Sequence, residues 1–291
     1  MGTTVPRQSG IGSLADYLSG ASLAGLGLLG YETLRFPASL GSDGFPRAVA
    51  TGAAFLFCLL ASRYAARVTS AAARSALRSG AAAGVVLGTA AILGHTLEVF
   101  AALHPPIPAV LGVGMWGLMF LVLGGTSAAT YRRHESGALG ILSSVWGAMI
   151  SAVTTVVFAF LVGLSFMARM QQVLAGAFAA SGMTDGRAFV IRNMLDGASS
   201  HLLIAPAVAA LAGSASVATC FLLKPVGRRT AAALAACALA VLVGGVTSLR
   251  YASSLERSAR PPYVMLGLLG LGVALTSAWP LVAAMRGSRG H

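Results

Sequence analysis

Charged residues are scarce in this chain. Only 10% of its 291 residues are Asp, Glu, Lys or Arg, whereas a soluble domain carries about 25%. A water-soluble fold of this length could not cover its surface with so few charges, so a soluble globular protein is excluded. Lysine is almost missing: Lys224 is the only one. A seven-helix retinal protein needs a lysine in its last helix, whereas Lys224 follows the fifth apolar run, which disfavours that class.

Sequence motifs that carry chemistry are also missing. The three cysteines, Cys58, Cys220 and Cys237, form no C-x-x-C pair, so neither a zinc site nor a disulfide framework is indicated. The chain has no Walker loop, no H-E-x-x-H and no G-x-S-x-G. G-x-G-x-x-G matches begin at Gly25 and Gly112, but neither follows a strand of a βαβ unit. No motif therefore assigns a substrate, a reaction or a cofactor, and an enzyme is disfavoured.

Apolar residues, by contrast, make up 56% of the chain. A helix needs about 20 apolar residues to cross the hydrocarbon core of a bilayer. Backbone groups in lipid must be satisfied within the segment, so spans of this length are helices. We therefore predict an all-α polytopic transmembrane helix bundle with seven spans, at about 48–66, 80–103, 107–130, 139–168, 200–223, 230–249 and 263–285.

An eighth apolar segment runs from Tyr17 to Tyr31, between Asp16 and Glu32. Its 15 residues are few for a span, so it is either a short N-terminal span or an interfacial or re-entrant helix. The predicted organisation is an N-terminal segment, 1–47, that contains this short helix, followed by one transmembrane bundle, 48–291. Within the bundle, the connection at about 169–199 is predicted to form a helical loop on the outer side.

Basic residues in the loops predict the orientation. With the loop 63–79 placed inside, 11 of the 20 Lys and Arg residues lie on the inner side and 9 on the outer side. The bias rises to 12 against 8 if the Tyr17 segment also crosses, because Arg7 then moves inside. We therefore expect a multi-pass protein of a bacterial-type inner membrane or plasma membrane, with its C-terminus in the cytoplasm.

The loop 63–79 contains four arginines that fall within one narrow arc if the loop is helical. The chain has a net charge of +12, which in a membrane protein favours anionic lipid headgroups as partners rather than nucleic acid. The loop is either an interfacial helix that binds these headgroups or a topology signal alone, and the second interpretation is favoured. The four residues are Arg63, Arg67, Arg74 and Arg78.

His95 and Glu98 lie three residues apart inside the second span, on one face of the helix. A charged side chain at the bilayer centre costs at least about 2.5–3.5 kcal/mol, so such residues usually face the bundle interior and are candidates for function. The pair could shuttle a proton, bind a metal ion, or hold a substrate or quinone headgroup. The alternative is a polar pair that joins two helices.

The outer ends of the second and fifth spans carry the other candidates. The loop 169–199 is expected to form two short helices broken at Ser181-Gly182, with Thr184 or Asp185 capping the second. Ser199-Ser200 is expected to cap the fifth span. If the second and fifth spans are neighbours, one outer-side cluster forms. Its members would be His95, Glu98, His104, Arg192, Asp196 and His201.

Three functions remain open on these observations. The preferred hypothesis is transport of a small solute or an ion, coupled to protons, with His95 and Glu98 as the responsive groups. The second is a structural or assembly subunit of a membrane complex, whose partners would be other membrane subunits. The third is a redox subunit in which His95, His104 or His201 binds haem, or in which the polar cluster binds a quinone.

Overall fold

The computed structural model describes residues 11–41, 44–101 and 107–222, and within these ranges every regular element is a helix. The predicted spans 230–249 and 263–285 and the candidate His104 lie outside the described residues. The helices are α1 (Ile11–Arg35), a 3-10 turn (Pro37–Leu40), α2 (Gly44–Ala66), α3 (Ala71–Phe100), α4 (Ile107–His134), α5 (Gly137–Ser165), α6 (Met167–Val173), α7 (Ala175–Ala179) and α8 (Gly186–Leu222).

Four of the described helices are long and apolar enough to cross a membrane, namely α2, α3, α5 and the stretch Gly186–Phe221 of α8. They coincide with four of the predicted spans, which confirms the all-helical class and agrees with a protein of the membrane. Helix α4 covers a fifth predicted span, 107–130, and extends four residues beyond it.

Helix α5 is the centre of the fold and packs against α1, α3, α4 and α8. It carries no charged residue, and its buried positions run from Gly140 to Gly163 around most of its circumference. A helix that is apolar on all sides is one enclosed by other helices. Its sequence therefore accounts for its central place.

Helices α3 and α5 run parallel in close contact, because small residues repeat at every fourth position of both. A Cβ atom added at Gly80 would strike the Ser143 carbonyl oxygen, and one added at Gly84 would lie 2.5 Å from the Gly147 carbonyl oxygen. A Cβ atom added at Gly88, one turn further along α3, would lie at ordinary van der Waals distance from its neighbours. The absence of side chains at Gly80 and Gly84 lets the two backbones meet.

Helix α8 runs antiparallel to α5 and is held by a hydrogen bond between the two helices. The Ser144 hydroxyl donates to the Ala209 carbonyl oxygen at 2.8 Å. A Cβ atom added at Gly140 would lie 2.9 Å from the Val217 side chain, and one added at Gly163 would meet the Met194 side chain at the other end of the pair. These contacts fix the register of α5 against α8 over its length.

Helix α1 is one continuous helix of 25 residues that runs antiparallel beside α2. The Ser19 and Ser62 hydroxyls are 2.5 Å apart near one end. Towards the other end, the Leu29 side chain lies 3.5 Å from the point where a Cβ atom on Gly52 would be. The structure therefore lengthens the predicted 17–31 helix at both ends, and the ends of α1 lie at opposite ends of α2.

Two segments differ from the expectation. The four arginines of 63–79 do not share a helix, because α2 ends at Ala66 and α3 begins at Ala71. Ser70 caps α3, and its hydroxyl accepts from the Ala73 amide at 3.5 Å. Arg63 and Arg67 therefore precede the turn, while Arg74 and Arg78 occupy the first turns of α3.

The loop 169–199 also differs from the expectation in its second half. The break at Ser181-Gly182 is present, with Gly182 at φ 71°, and Asp185 caps α8 by accepting from the Arg187 and Ala188 amides. Helix α8 then continues through Ser199-Ser200, which cap nothing. The reason is that the buried face of its first turns runs on without interruption into the face that packs on α5.

Candidate functional site

The depth of each candidate follows from the register of the helices around α5. Helix α3 is offset from α5 by 63 residues, from Gly80 against Ser143 to Gly88 against Ser151. The T-shaped contact of Phe100 with Phe166, at 5.0 Å between ring centroids, keeps nearly this offset at the far end. His95 therefore lies level with residues 158–161 of α5, about two turns from its last residue.

The other candidates lie at the same level. Because α5 and α8 are antiparallel with Gly140 against Val217 and Gly163 against Met194, Asp196 lies opposite residue 161 and His201 opposite residue 156. Glu98 lies level with residues 161–164. We call His95, Glu98, Arg192, Asp196 and His201 the outer layer, after the side predicted for the loop 169–199, because they occupy the last turns of the bundle at the end of that loop.

The outer layer lies at the edge of the apolar zone. On α3, the uncharged stretch between Arg78 and Glu98 covers residues 79–97, which rise about 28 Å along a helix. That length matches the hydrocarbon thickness of about 30 Å. If Arg78 marks one boundary of this zone, Glu98 falls at the other, and His95 lies about one turn closer to its middle.

His95 is half-buried, and its Nε2 atom is enclosed without a hydrogen-bond partner among the described residues. Glu98 is exposed one turn above it. The end of this helix is fixed by Arg169 of α6, whose Nε atom donates to the Val99 carbonyl oxygen at 2.9 Å. The arrangement gives an imidazole nitrogen inside the bundle with a carboxylate next to it on the outer side.

Asp196 forms an ion pair that the sequence interpretation did not anticipate. Its carboxylate lies 3.2 Å from the Nε atom of Arg47, at the start of α2, with side chains 54% and 33% exposed. A pair this exposed contributes about 0–1 kcal/mol. Arg192, four residues before Asp196 on α8, places its Nη1 atom 3.7 Å from the Met183 sulfur.

The second and fifth predicted spans, α3 and α8, do not form a packed pair, because α5 packs between them. His95, level with residues 158–161 of α5, and His201, opposite residue 156, therefore lie on helices that α5 separates. Among residues 11–41, 44–101 and 107–222, no group of three or more His, Cys, Asp or Glu side chains could hold a metal ion. A haem bound by two histidines remains a prediction that this arrangement does not favour.

Buried polar residues on α1 and α2 are the ones that the sequence interpretation missed. Glu32 and Thr51 are both 0% exposed, and their side-chain oxygens have no hydrogen-bond partner among the described residues. The signal was present in the spacing: the buried positions of α1 recur at intervals of three and four residues from Ala15 to Leu29, and the next position in the series is Glu32.

The chain was compared with known proteins on both sequence and structure. No protein family, no curated protein and no solved structure matches it. The candidate site therefore rests on the chemistry and the geometry of its own residues.

Proposed function

We propose that this chain is a multi-pass membrane protein that moves a proton, alone or with a small solute, and that His95 and Glu98 of the outer layer receive that proton. The observation that carries the proposal is the enclosed Nε2 atom of His95, one turn below the exposed Glu98. An imidazole titrates near neutral pH, and a carboxylate beside it can pass it a proton from water.

The charges at the two ends of the bundle support a direction for this path. The end opposite the outer layer carries a small excess of arginines, namely Arg63, Arg67, Arg74, Arg78, Arg132 and Arg133, against Arg35, Arg47, Arg169, Arg187 and Arg192 at the outer-layer end. Clustered arginines favour the cytoplasmic side and its anionic headgroups. The proposal is that the outer layer faces away from the cytoplasm, in a bacterial-type inner membrane or plasma membrane, and that the C-terminus is cytoplasmic.

The chain offers matched controls for a test of the proposal. His134, at the inner end of α4, also has an enclosed Nε2 atom without a partner among the described residues. Glu135 beside it is exposed, like Glu98. His134 and Glu135 therefore have the same residue types and similar burial as His95 and Glu98, but they lie at the opposite end of the bundle.

The experiment measures proton uptake into liposomes that contain the purified protein, driven by a potassium diffusion potential and followed with an internal pH-sensitive dye. His95→Gln and Glu98→Gln are each expected to slow uptake by at least about tenfold, which corresponds to about 1.4 kcal/mol in barrier height. His134→Gln and Glu135→Gln are expected to leave it unchanged. Equal effects at both ends, or no uptake by the native protein, would refute the proposal.

A second candidate is a structural or assembly subunit of a membrane complex. The contact of α3 with α5 favours it, because backbones that touch at Gly80 and Gly84 leave little freedom for these helices to move. A structural subunit predicts that the native protein is recovered in a stable complex with other membrane subunits, and that reconstituted protein shows no uptake. One preparation of the native protein therefore distinguishes the two proposed functions.

A further inference from the structure

We infer that Glu32 and Thr51 form an enclosed proton-binding site at the outer end of a ring of four helices, beneath the 3-10 turn Pro37–Leu40. Both side chains are 0% exposed and lack hydrogen-bond partners among the described residues. Buried polar groups normally have such partners. Two groups without them in the same region therefore point to a site that binds a proton.

The ring consists of α1, α2, α8 and α5, each packed against the next, with α1 returning to α5. Glu32 is directed into this ring by its position on α1. It lies about 60° from Leu29, which contacts α2 at Gly52, and about 60° on the other side from Tyr17, whose hydroxyl lies 2.8 Å from that of Thr154 on α5. Glu32 therefore points between α2 and α5.

Thr51 approaches the same space from α2. The antiparallel register, with Ser19 beside Ser62 and Leu29 beside Gly52, places Glu32 opposite residue 49, so Thr51 lies about 3 Å deeper. Around the axis of α2, Thr51 lies between Gly52, which contacts α1, and Arg47, which pairs with Asp196 of α8. The two side chains are not hydrogen-bonded to each other, but a hydroxyl in this space can accept a hydrogen bond from a protonated carboxyl group or donate one to a carboxylate.

The 3-10 turn closes this end of the ring. It contacts α1, α2 and α8, and it follows Glu32 directly, since the Phe36 amide donates to the Glu32 carbonyl oxygen at 2.9 Å. Ser39 in the turn is 0% exposed, and its carbonyl oxygen touches Gly44, where a Cβ could not fit. The turn therefore packs over this end of the ring and separates Glu32 from water.

The charge of an ionised Glu32 carboxylate is not balanced by the charged side chains around it. Helix α5 and the 3-10 turn carry no ionisable side chain. Arg47 of α2 forms an ion pair with Asp196, and the Arg35 guanidinium lies over the Phe36 ring at 5.6 Å. Uptake of a proton removes the cost of the isolated charge. The remaining ionisable groups of the neighbouring helices at this level are Arg192 and His201 on α8 and His95 and Glu98 on α3.

The test uses the full chain in lipid vesicles and dicyclohexylcarbodiimide, an apolar reagent that adds to a protonated carboxyl group to give an N-acylurea. Mass spectrometry of the labelled protein is expected to find the adduct at Glu32, with a yield that falls as the pH of labelling rises. Glu32→Gln is expected to abolish the adduct, and Glu98→Gln, which alters an exposed carboxyl, is expected to retain it.

Absence of the adduct at Glu32 over the whole pH range would overturn the inference. Thr51→Val keeps the shape of the side chain and removes the hydroxyl, so it is expected to change the pH at which labelling is half-complete. An unchanged pH profile would contradict the part assigned to Thr51. The native labelling profile decides the main claim even if the Glu32 variant does not fold. The site does not depend on the proposed transport, because labelling requires no flux.

Discussion

The contact between α3 and α5 permits a direct test at Gly84. Replacing Gly84 with alanine adds one Cβ atom, which would lie 2.5 Å from the Gly147 carbonyl oxygen and 2.9 Å from the Ile150 Cβ atom. Both are atoms of the backbone or at the root of a side chain, so no rotamer change relieves the overlap. Gly88 belongs to the same stripe, and its added Cβ would find its nearest neighbour at 3.6 Å.

The magnitude follows from the difference between these two positions. Alanine is favoured over glycine in a helix by about 1 kcal/mol, and this gain is common to both variants. At Gly84 the helices must separate by about 0.9 Å to restore ordinary contact, and such overpacking typically costs about 1–3 kcal/mol. We therefore expect Gly84→Ala to be less stable than Gly88→Ala by about 1–3 kcal/mol.

The assay is reversible unfolding of each variant in the same detergent or bicelle mixture, followed by circular dichroism or by steric trapping. Gly88→Ala is expected to match or exceed the native stability, and Gly84→Ala is expected to fall below it. Equal free energies of unfolding for the two variants would refute the parallel close packing of α3 on α5.

Three further predictions concern contacts between helices and with lipid. Ser144→Ala removes the bond to α8 and should cost about 0.6 kcal/mol and at most about 1.7, whereas Ser143→Ala, whose hydroxyl bonds within α5, should cost less in the same unfolding assay. A double-mutant cycle of Arg47 and Asp196 should give a coupling of about 0–1 kcal/mol that declines with added salt; a coupling insensitive to salt would contradict an exposed pair. Arg78→Gln should reduce the stabilisation by anionic lipid by about 1 kcal/mol, and an unchanged lipid dependence would contradict headgroup binding.

The helices were predicted where apolar runs are long, and their ends were predicted less well. The run beginning at Gly80 marked α3, but the helix starts at Ala71, because Ala71-Ala72-Ala73 and the residues after it favour a helix whether or not they are apolar. Likewise, residues 186–199, which mix polar and apolar side chains, join α8 because their buried face is continuous with that of the span. Hydropathy locates the apolar zone, whereas the helix extends as far as propensity and packing continue.

The sequence placed His95 and Glu98 inside the second span and His201 on the first turn of the fifth, without showing how the two spans are arranged. The register places His95, Glu98, Asp196 and His201 level with the last ten residues of α5. That α5 separates α3 from α8 depends on which small residues meet, and glycines at helical spacing occur in several helices of this chain. The pattern therefore shows that helices pack closely without showing which ones.

Glu32 illustrates the same limit from the opposite side. In the sequence it marks the end of an apolar segment, as a charged residue at an interface would. In the structure it is the last member of the buried stripe of α1. The difference arises because α2 and the 3-10 turn pack against α1, and the sequence of α1 alone does not predict these tertiary contacts.

The central claim is that the outer layer and the end that carries Arg132 and Arg133 lie on opposite faces of the membrane. Single cysteines placed at Glu98, Asp196, Arg132 and Glu135, in a background without Cys58, Cys220 and Cys237, can be labelled in sealed, oriented vesicles with a membrane-impermeant maleimide. We predict that the first two positions are labelled from one face only and the last two from the other face only. Labelling of all four positions from the same face would contradict the account.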